Sequence, residues 1–119
     1  MKALAAAVTA AALLAACGGG SSGQPAGSIK VTLTEFSFNP STISAPSGKV
    51  VFYLVNAGTV SHDMVIRDSS NNRVGGSDLI SAGDSIVFTV DSIAAGTYTY
   101  FCDQTGHEAA GMKGTLTVT

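Results

Sequence analysis

The stretch from residue 96 to residue 118 constrains the fold of this chain more than any other. Side chains alternate with a period of two over residues 97–102, and strand-like sequence also ends the stretch, which is typical of two strands joined by a loop. The joining segment carries Cys102, His107 and Met112, with four residues between successive members. A rigid hairpin would therefore direct a thiol, an imidazole and a thioether toward one point.

These three groups occur together in one kind of metal site. A thiolate, a neutral imidazole and a weak axial thioether are three of the four ligands of a blue-copper electron-transfer centre, and a second imidazole is the fourth. The sequence contains one other histidine, His62. The pattern therefore predicts a copper site formed by His62, Cys102, His107 and Met112. Met64 lies in a strand pattern and is predicted to belong to the core.

The segments around these residues resemble the cupredoxin family of small blue copper proteins. Residues 98–102 (Tyr-Thr-Tyr-Phe-Cys) and 110–112 (Ala-Gly-Met) look like the copper-binding end of plastocyanin, whereas residues 112–116 (Met-Lys-Gly-Thr-Leu) resemble azurin. Residues 56–63 (Asn-Ala-Gly-Thr-Val-Ser-His-Asp) resemble the plastocyanin loop that delivers the first histidine. This mixture is similar to the auracyanins, and the resemblance covers residues 29–119.

The resemblance implies both a fold and a function. Members of the family are Greek-key antiparallel β-sandwiches that hold one copper, cycling between Cu(I) and Cu(II), at one end. We therefore expect an all-β protein that acts as a one-electron carrier, is not an enzyme and works as a monomer. Its expected partners are redox proteins, such as a cytochrome or a membrane electron-transfer complex.

The resemblance also implies roles for residues around the ligands. Asn56 and Asp63 are expected to support the ligand loops, although relatives usually carry asparagine where this chain has Asp63. His107 is expected to be the exposed ligand, surrounded by a modest apolar patch on which partners dock. That patch is expected to consist of apolar residues from two loops, Val60, Ala109 and Ala110.

Short strands are predicted throughout residues 29–119. Alternation, or a short apolar run rich in β-branched and aromatic residues, marks each of them. The predicted strands are residues 29–34, 42–45, 49–55, 63–67, 85–90, 97–102 and 114–119. Phe36 and Phe38 are expected to continue the buried face of the first strand, and residues 68–76 to form a polar loop. Such strands, separated by turn residues and without a helical period, indicate an antiparallel sandwich.

The N-terminal residues predict export. An N-terminal lysine is followed by an alanine- and leucine-rich run too short to span a membrane comfortably, so residues 1–16 are predicted to be a signal peptide. Cys17 follows Leu-Ala-Ala and resembles the acylated cysteine of bacterial lipoproteins. Ordinary cleavage near Ala16 is the alternative.

A tether and one domain are predicted to follow. Residues 17–28 are rich in Gly and Ser, a composition that behaves as a flexible coil. Residues 29–119 would form the cupredoxin domain. The mature protein is therefore expected to be exported and to lie in the periplasm or on the outer face of the cytoplasmic membrane, held there by a lipid anchor.

Length and charge exclude other classes of protein. A chain of 119 residues has room for one domain. A net charge of -2 without clustered Lys or Arg provides no surface for nucleic acid, which we exclude as a partner. Two cysteines would permit one disulfide, but Cys17 and Cys102 each have a better use, so none is expected.

Two other functions remain open on the sequence alone. A copper carrier or chaperone could use the same ligands, although the Met- or His-rich surface typical of that class is absent from the sequence. A non-redox β-sandwich binding module would be colourless after addition of copper. Zinc is a poorer match than copper, because this ligand set has one thiolate and a thioether. A visible spectrum separates these alternatives.

Overall fold

The chain folds into two β-sheets that pack against each other. A computed structural model describes residues 23–119, and that part of the chain contains nine strands. In chain order they are β1 (Ile29–Thr34), β2 (Ser37–Asn39), β3 (Thr42–Ala45), β4 (Gly48–Asn56), β5 (Val65–Arg67), β6 (Arg73–Gly76), β7 (Ser85–Ile93), β8 (Gly96–Phe101) and β9 (Lys113–Val118). The predicted all-β architecture is confirmed.

The sheets are mixed rather than antiparallel. One has the strand order β2-β1-β4-β7 and the other the order β3-β9-β8-β5-β6. Two pairs, β1 with β4 and β3 with β9, run parallel. The chain leaves the first sheet after β2 and returns with β4 beside β1, so these two strands have the same direction. Alternation in the sequence shows which face of a strand is buried but does not specify its neighbour.

The core lies between the two sheets. In β4, Val50, Phe52 and Leu54 are buried while the residues between them are more exposed, as expected for a strand with one face on the core. Tyr100 of β8 and Leu116 of β9 belong to the same apolar cluster. Burying one side chain of this size stabilises the fold by about 1.5 to 3 kcal/mol. The packed core therefore provides rigid support for the loops at the ends of the sandwich.

Tyr100 anchors the strand that leads to Cys102. Its ring is fully buried and meets the edge of the Phe38 ring with centroids 5.1 Å apart, and its hydroxyl donates to the carbonyl oxygen of Pro40 at 2.7 Å. Burial raises the pKa of Tyr100 to about 12, so this hydroxyl remains a donor. Gly114 of β9 makes the fit possible, because a Cβ at this position would lie 2.4 Å from the Tyr100 ring.

Several segments differ from the sequence prediction, including β7, which extends three residues beyond the predicted end at residue 90. Residues 73–76, predicted as part of a polar loop, form the edge strand β6 because their backbone pairs with β5. The strand predicted from residue 63 begins instead at Val65. Phe36 lies in the turn between β1 and β2 and is 42% exposed, whereas Phe38 is buried as expected. The chain reverses at this turn, which interrupts the alternation that the two phenylalanines suggested.

The N-terminal predictions fall largely outside the described residues. The predicted signal peptide, residues 1–16, and Cys17 lie beyond residues 23–119. Before β1 the chain forms a turn in which the backbone nitrogen and Oγ of Ser28 both donate to the Pro25 carbonyl, at 3.1 and 2.6 Å. In the described range no helix has the length and apolar character needed to cross a bilayer.

Candidate metal centre

Two connections bring the candidate ligands together at one end of the sandwich. His62 lies between β4 and β5, whereas Cys102, His107 and Met112 lie between β8 and β9. His62, Cys102 and Met112 are fully buried, and His107 is partly buried. The cluster is therefore closed on the protein side and approaches solvent on one side, at His107.

The thiol and the two imidazoles converge. Cys102 Sγ lies 3.4 Å from His107 Nδ1 and 3.9 Å from His62 Nδ1, and the two Nδ1 atoms are 3.2 Å apart. Donor atoms that bind one metal ion at about 2.0 to 2.3 Å lie roughly 3 to 4 Å from each other. The spacing of these three atoms therefore fits a single metal ion bound by both Nδ1 atoms and the sulfur.

His62 is held by its own loop. It forms an isolated bridge with Ile80, in which His62 N donates to Ile80 O at 3.1 Å and Ile80 N donates to His62 O at 2.8 Å. Asn56 Nδ2 donates to the carbonyls of Val60 and Ile80 at 2.9 and 2.8 Å, and Asn56 Oδ1 accepts from Gly58 N at 2.9 Å. The buried Asn56 side chain thus fixes the loop that carries His62.

The loop between β8 and β9 is tied together by its backbone. Cys102 N donates to Met112 O at 3.2 Å, Met112 N donates to His107 O at 3.1 Å, and His107 N donates to Gln104 O at 2.9 Å. Gly111 has a φ of 110°, a conformation that side chains disfavour, and it lets the loop turn back to deliver Met112. The three candidate ligands of this loop are therefore linked by hydrogen bonds as well as by sequence.

Asp63 connects the two ligand-bearing segments. Its Oδ1 accepts a hydrogen bond from Asp103 N at 2.9 Å, next to Cys102. Burial raises the pKa of Asp63 to about 6, and burial also raises the pKa of the Cys102 thiol. A buried thiol becomes a thiolate readily when a cation compensates its charge, and a bound metal ion does so directly. The electrostatics of this site therefore suit a thiol that ionises on metal binding.

Glu35 also belongs to the site, although no sequence pattern indicated it. This residue lies in the turn between β1 and β2, and its Oε1 accepts hydrogen bonds from Thr59 N at 2.8 Å and Val60 N at 3.0 Å and lies 3.1 Å from His62 Nε2. The bond from Thr59, followed by those from Val60 and His62, lowers the pKa of Glu35 to about 2. An isolated acidic residue after a strand gives no sequence signal for such contacts, because its partners are 24 to 27 positions away.

His107 lies beside exposed apolar side chains. Its ring meets the Phe36 ring with centroids 5.0 Å apart and an interplanar angle of 68°. Of the predicted docking residues, Val60 is 44% exposed, and Ala109 and Ala110 are also exposed. Phe36, expected in the core, instead adds an aromatic surface next to His107.

Arg67 of β5 contacts the loop between β8 and β9, which we call the ligand loop. Its Nη1 and Nη2 donate to Oε1 and Oε2 of Glu108 at 3.2 and 2.6 Å, and its guanidinium lies 4.3 Å from the centre of the Phe101 ring. A bidentate pair is geometrically specific, and Arg67 lowers the pKa of Glu108. This contact fixes the residue next to His107 against the sheet.

Comparison with known proteins identifies similar chains. A model of the cupredoxin-like domain family matches residues 4–118. Plastocyanin from Scenedesmus fuscus is 36% identical over 87 residues, which cover 68% of this chain and 85% of that protein. Auracyanin-B from Chloroflexus aurantiacus is 48% identical over 48 residues, which cover 40% of this chain and 20% of that protein.

Solved structures have a similar overall fold. An auracyanin from Roseiflexus castenholzii superposes with a TM-score of 0.69 at 21% identity, over 81% of this chain and 99% of that one. Auracyanin B superposes with a TM-score of 0.71 at 27% identity, over 83% of this chain and 93% of that one. The β-sandwich described above is thus a known fold.

Proposed function

The chain belongs to the cupredoxin-like family, and from that premise we propose that it carries single electrons between redox proteins through one copper ion. The observation that carries this proposal is the cluster of His62, Cys102 and His107, whose ligand atoms all lie within 4.8 Å of one another. Met112, fully buried in the same loop, is the residue proposed to supply the fourth ligand. We assign no catalytic role to the protein.

The chemistry of the donors favours copper. Two imidazoles, one thiolate and a thioether suit copper in both of its common oxidation states, whereas structural zinc sites favour sets of thiolates and imidazoles without a thioether. When bound, copper supplies a centre that gains or loses one electron. The protein supplies the four ligands and the fixed positions that they occupy.

The surrounding residues keep these positions fixed. His62 is held by its bridge to Ile80, and Cys102 is hydrogen-bonded through its backbone to Met112. Ligands attached to a packed β-scaffold move little when the charge of the site changes, so each electron transfer requires little rearrangement of the protein. Burial of three of the four ligands also excludes water from the cluster.

Electrons are proposed to enter and leave at His107. It is the one candidate ligand that is not fully buried, and Val60, Ala109 and Ala110 are exposed in the loops that carry the ligands. A small apolar patch suits the brief contacts of electron-transfer partners, which bury little surface. The proposed partners are a cytochrome or a membrane electron-transfer complex.

The proposed cofactor is tested by adding copper to the metal-free protein and recording visible and electron paramagnetic resonance spectra. We expect an intense blue colour, which Cys102→Ser should abolish because the thiolate-to-copper charge transfer that gives the colour requires sulfur. Cys17→Ser is the matched control and should remain blue. A wild-type protein that stays colourless, or a Cys102→Ser variant that stays blue, would contradict the assignment.

Membrane anchoring through Cys17 is a separate proposal, supported by the lipoprotein-like sequence that precedes it. Fractionation of cells that express the full chain should recover the wild type and Cys102→Ser with membranes, and Cys17→Ser in the soluble exported fraction. The two cysteine variants thus serve as each other's controls. Equal retention of Cys17→Ser and wild type in the membrane fraction would contradict an anchor at Cys17.

A further inference from the structure

Glu35 connects the turn between β1 and β2 to the loop that carries His62. One oxygen, Oε1, accepts from two consecutive backbone amides, Thr59 N at 2.8 Å and Val60 N at 3.0 Å. The same oxygen lies 3.1 Å from Nε2 of His62, whose side chain is fully buried. A single carboxylate therefore holds both the backbone of the loop and the imidazole that the loop presents.

Gly58 leaves space for this carboxylate. A Cβ at residue 58 would lie 2.5 Å from Glu35 Oε1 and 2.8 Å from Oε2, closer than real Cβ contacts allow. Even alanine at this position would therefore push the carboxylate out of its place. Gly58 therefore leaves room for the carboxylate at the place where it accepts from Thr59 N and Val60 N.

The contact also determines which nitrogen of His62 is free. An ionised carboxylate only accepts hydrogen bonds, so Nε2 of His62 carries the proton in this pair. A neutral imidazole with a proton on Nε2 has its lone pair on Nδ1. That atom lies 3.2 Å from His107 Nδ1 and 3.9 Å from Cys102 Sγ, inside the candidate metal cluster.

We propose that Glu35 is a positioning residue for the copper site, which keeps His62 in the Nε2-protonated form and, through its negative charge, favours the oxidised metal. Carboxylates that accept from a metal-bound histidine orient the ring and make it a stronger donor. A nearby negative charge stabilises the more positive of two oxidation states. This proposal rests on the proposed function, because it assigns a role toward the copper of that site.

Two variants distinguish the effect of the negative charge of Glu35 from the effect of its contact with His62. Glu35→Gln removes the charge, while its amide oxygen can still accept from His62 Nε2. Glu35→Ala removes both the charge and the contact. Asp91→Asn is the matched control, since it removes one negative charge from β7 where that strand pairs with the start of β4, away from the cluster.

Two readouts test the proposal. Spectroelectrochemistry should show a higher reduction potential in Glu35→Gln than in both wild type and Asp91→Asn. Competition with a chelator should show copper bound about 10- to 100-fold more weakly in Glu35→Ala, the usual effect of removing such a partner. Nitrogen NMR of the metal-free protein should show His62 protonated at Nε2 in wild type and a changed tautomer population in Glu35→Ala.

Each failure has a distinct meaning. A reduction potential in Glu35→Gln equal to that of Asp91→Asn, or a His62 tautomer that is the same in wild type and Glu35→Ala, would overturn the proposal. A wild-type protein that binds no copper would contradict the proposed function instead. In that case the tautomer in the metal-free protein would still decide whether Glu35 positions His62.

Discussion

The four candidate ligands differ in how firmly the protein holds them. His62 is fixed through its backbone bridge to Ile80 and through its side chain at Glu35. Cys102 and Met112 are joined by a main-chain hydrogen bond, and both are fully buried. Met112 is the ligand whose side chain can be exchanged with least effect on the others, since its links to Cys102 and His107 run through the backbone.

Substitution of Met112 should therefore change the reduction potential of the copper site without releasing the copper. A thioether is a soft donor that favours Cu(I), whereas the amide oxygen of Met112→Gln is harder. We expect the reduction potential to fall while copper remains bound, as measured by spectroelectrochemistry. Met64→Leu is the control, because Met64 is equally buried and a leucine nearly conserves its volume. A potential in Met112→Gln equal to or above that of wild type would argue against Met112 as a copper ligand.

At the scale of elements, a side-chain contact from the sheet restrains the loop between β8 and β9. Arg67 of β5 forms a bidentate pair with Glu108 and lies over Phe101 of β8. Lysine cannot reproduce either the paired hydrogen bonds or the planar stacking of arginine. Arg67 therefore links two neighbouring strands to the residue that follows His107.

Arg67→Lys should loosen the loop without unfolding the domain. Partly exposed pairs contribute about 1 kcal/mol or less, which corresponds to an up to roughly fivefold change in a local opening equilibrium. Hydrogen exchange at the amides of Ala110 and Met112, both bonded within the loop, should accelerate by a factor of this size. Glu108→Gln breaks the same pair from the other side and should have a similar effect. Unchanged exchange in both variants would show that the pair does not restrain the loop.

Some strands of this fold could be predicted from the sequence and others could not. β8 was predicted from alternation along the sequence and β4 from a short apolar run rich in β-branched and aromatic residues, and in both strands buried residues alternate with more exposed ones. β6 could not be predicted in this way, since its four residues, Arg-Val-Gly-Gly, have no apolar face and become a strand through backbone pairing with β5. Strand identity follows from local pattern, whereas edge strands and parallel neighbours depend on the rest of the fold.

At the scale of the whole molecule, the candidate metal site also combines residues that a local sequence pattern reveals with residues that only the fold brings together. Cys102, His107 and Met112 share one loop, so their spacing in the sequence revealed them as a group. Glu35 and Phe36 belong to a turn far away in the chain, and only the packing of that turn against the ligand loops brings them to His62 and His107. The candidate ligands were therefore predictable, as were Asn56 and Asp63 close to them in the chain, but Glu35 and Phe36 were not.

The end of the sandwich that carries the ligands also exposes apolar surface. Phe36 is 42% exposed and packs on His107, Val60 is 44% exposed, and Ala109 and Ala110 are exposed in the loop after His107. A charge placed on such a surface must lose water when a partner docks, which costs more than the roughly 1 to 3 kcal/mol of an uncharged polar group. Ala109→Asp should therefore slow electron exchange with a soluble cytochrome by about tenfold or more.

A matched control separates this local effect from a change in net charge. Val87→Asp places the same charge on another exposed apolar residue, which lies in β7 and therefore not in the sheet that contains β8 and β9. Stopped-flow rates at high salt should fall in Ala109→Asp and stay near the wild-type value in Val87→Asp, because salt screens the long-range charge but not the desolvation of a docked surface. The spectrum and reduction potential should be the same in all three proteins. Equal rates in both variants would place the electron's exit elsewhere on the domain.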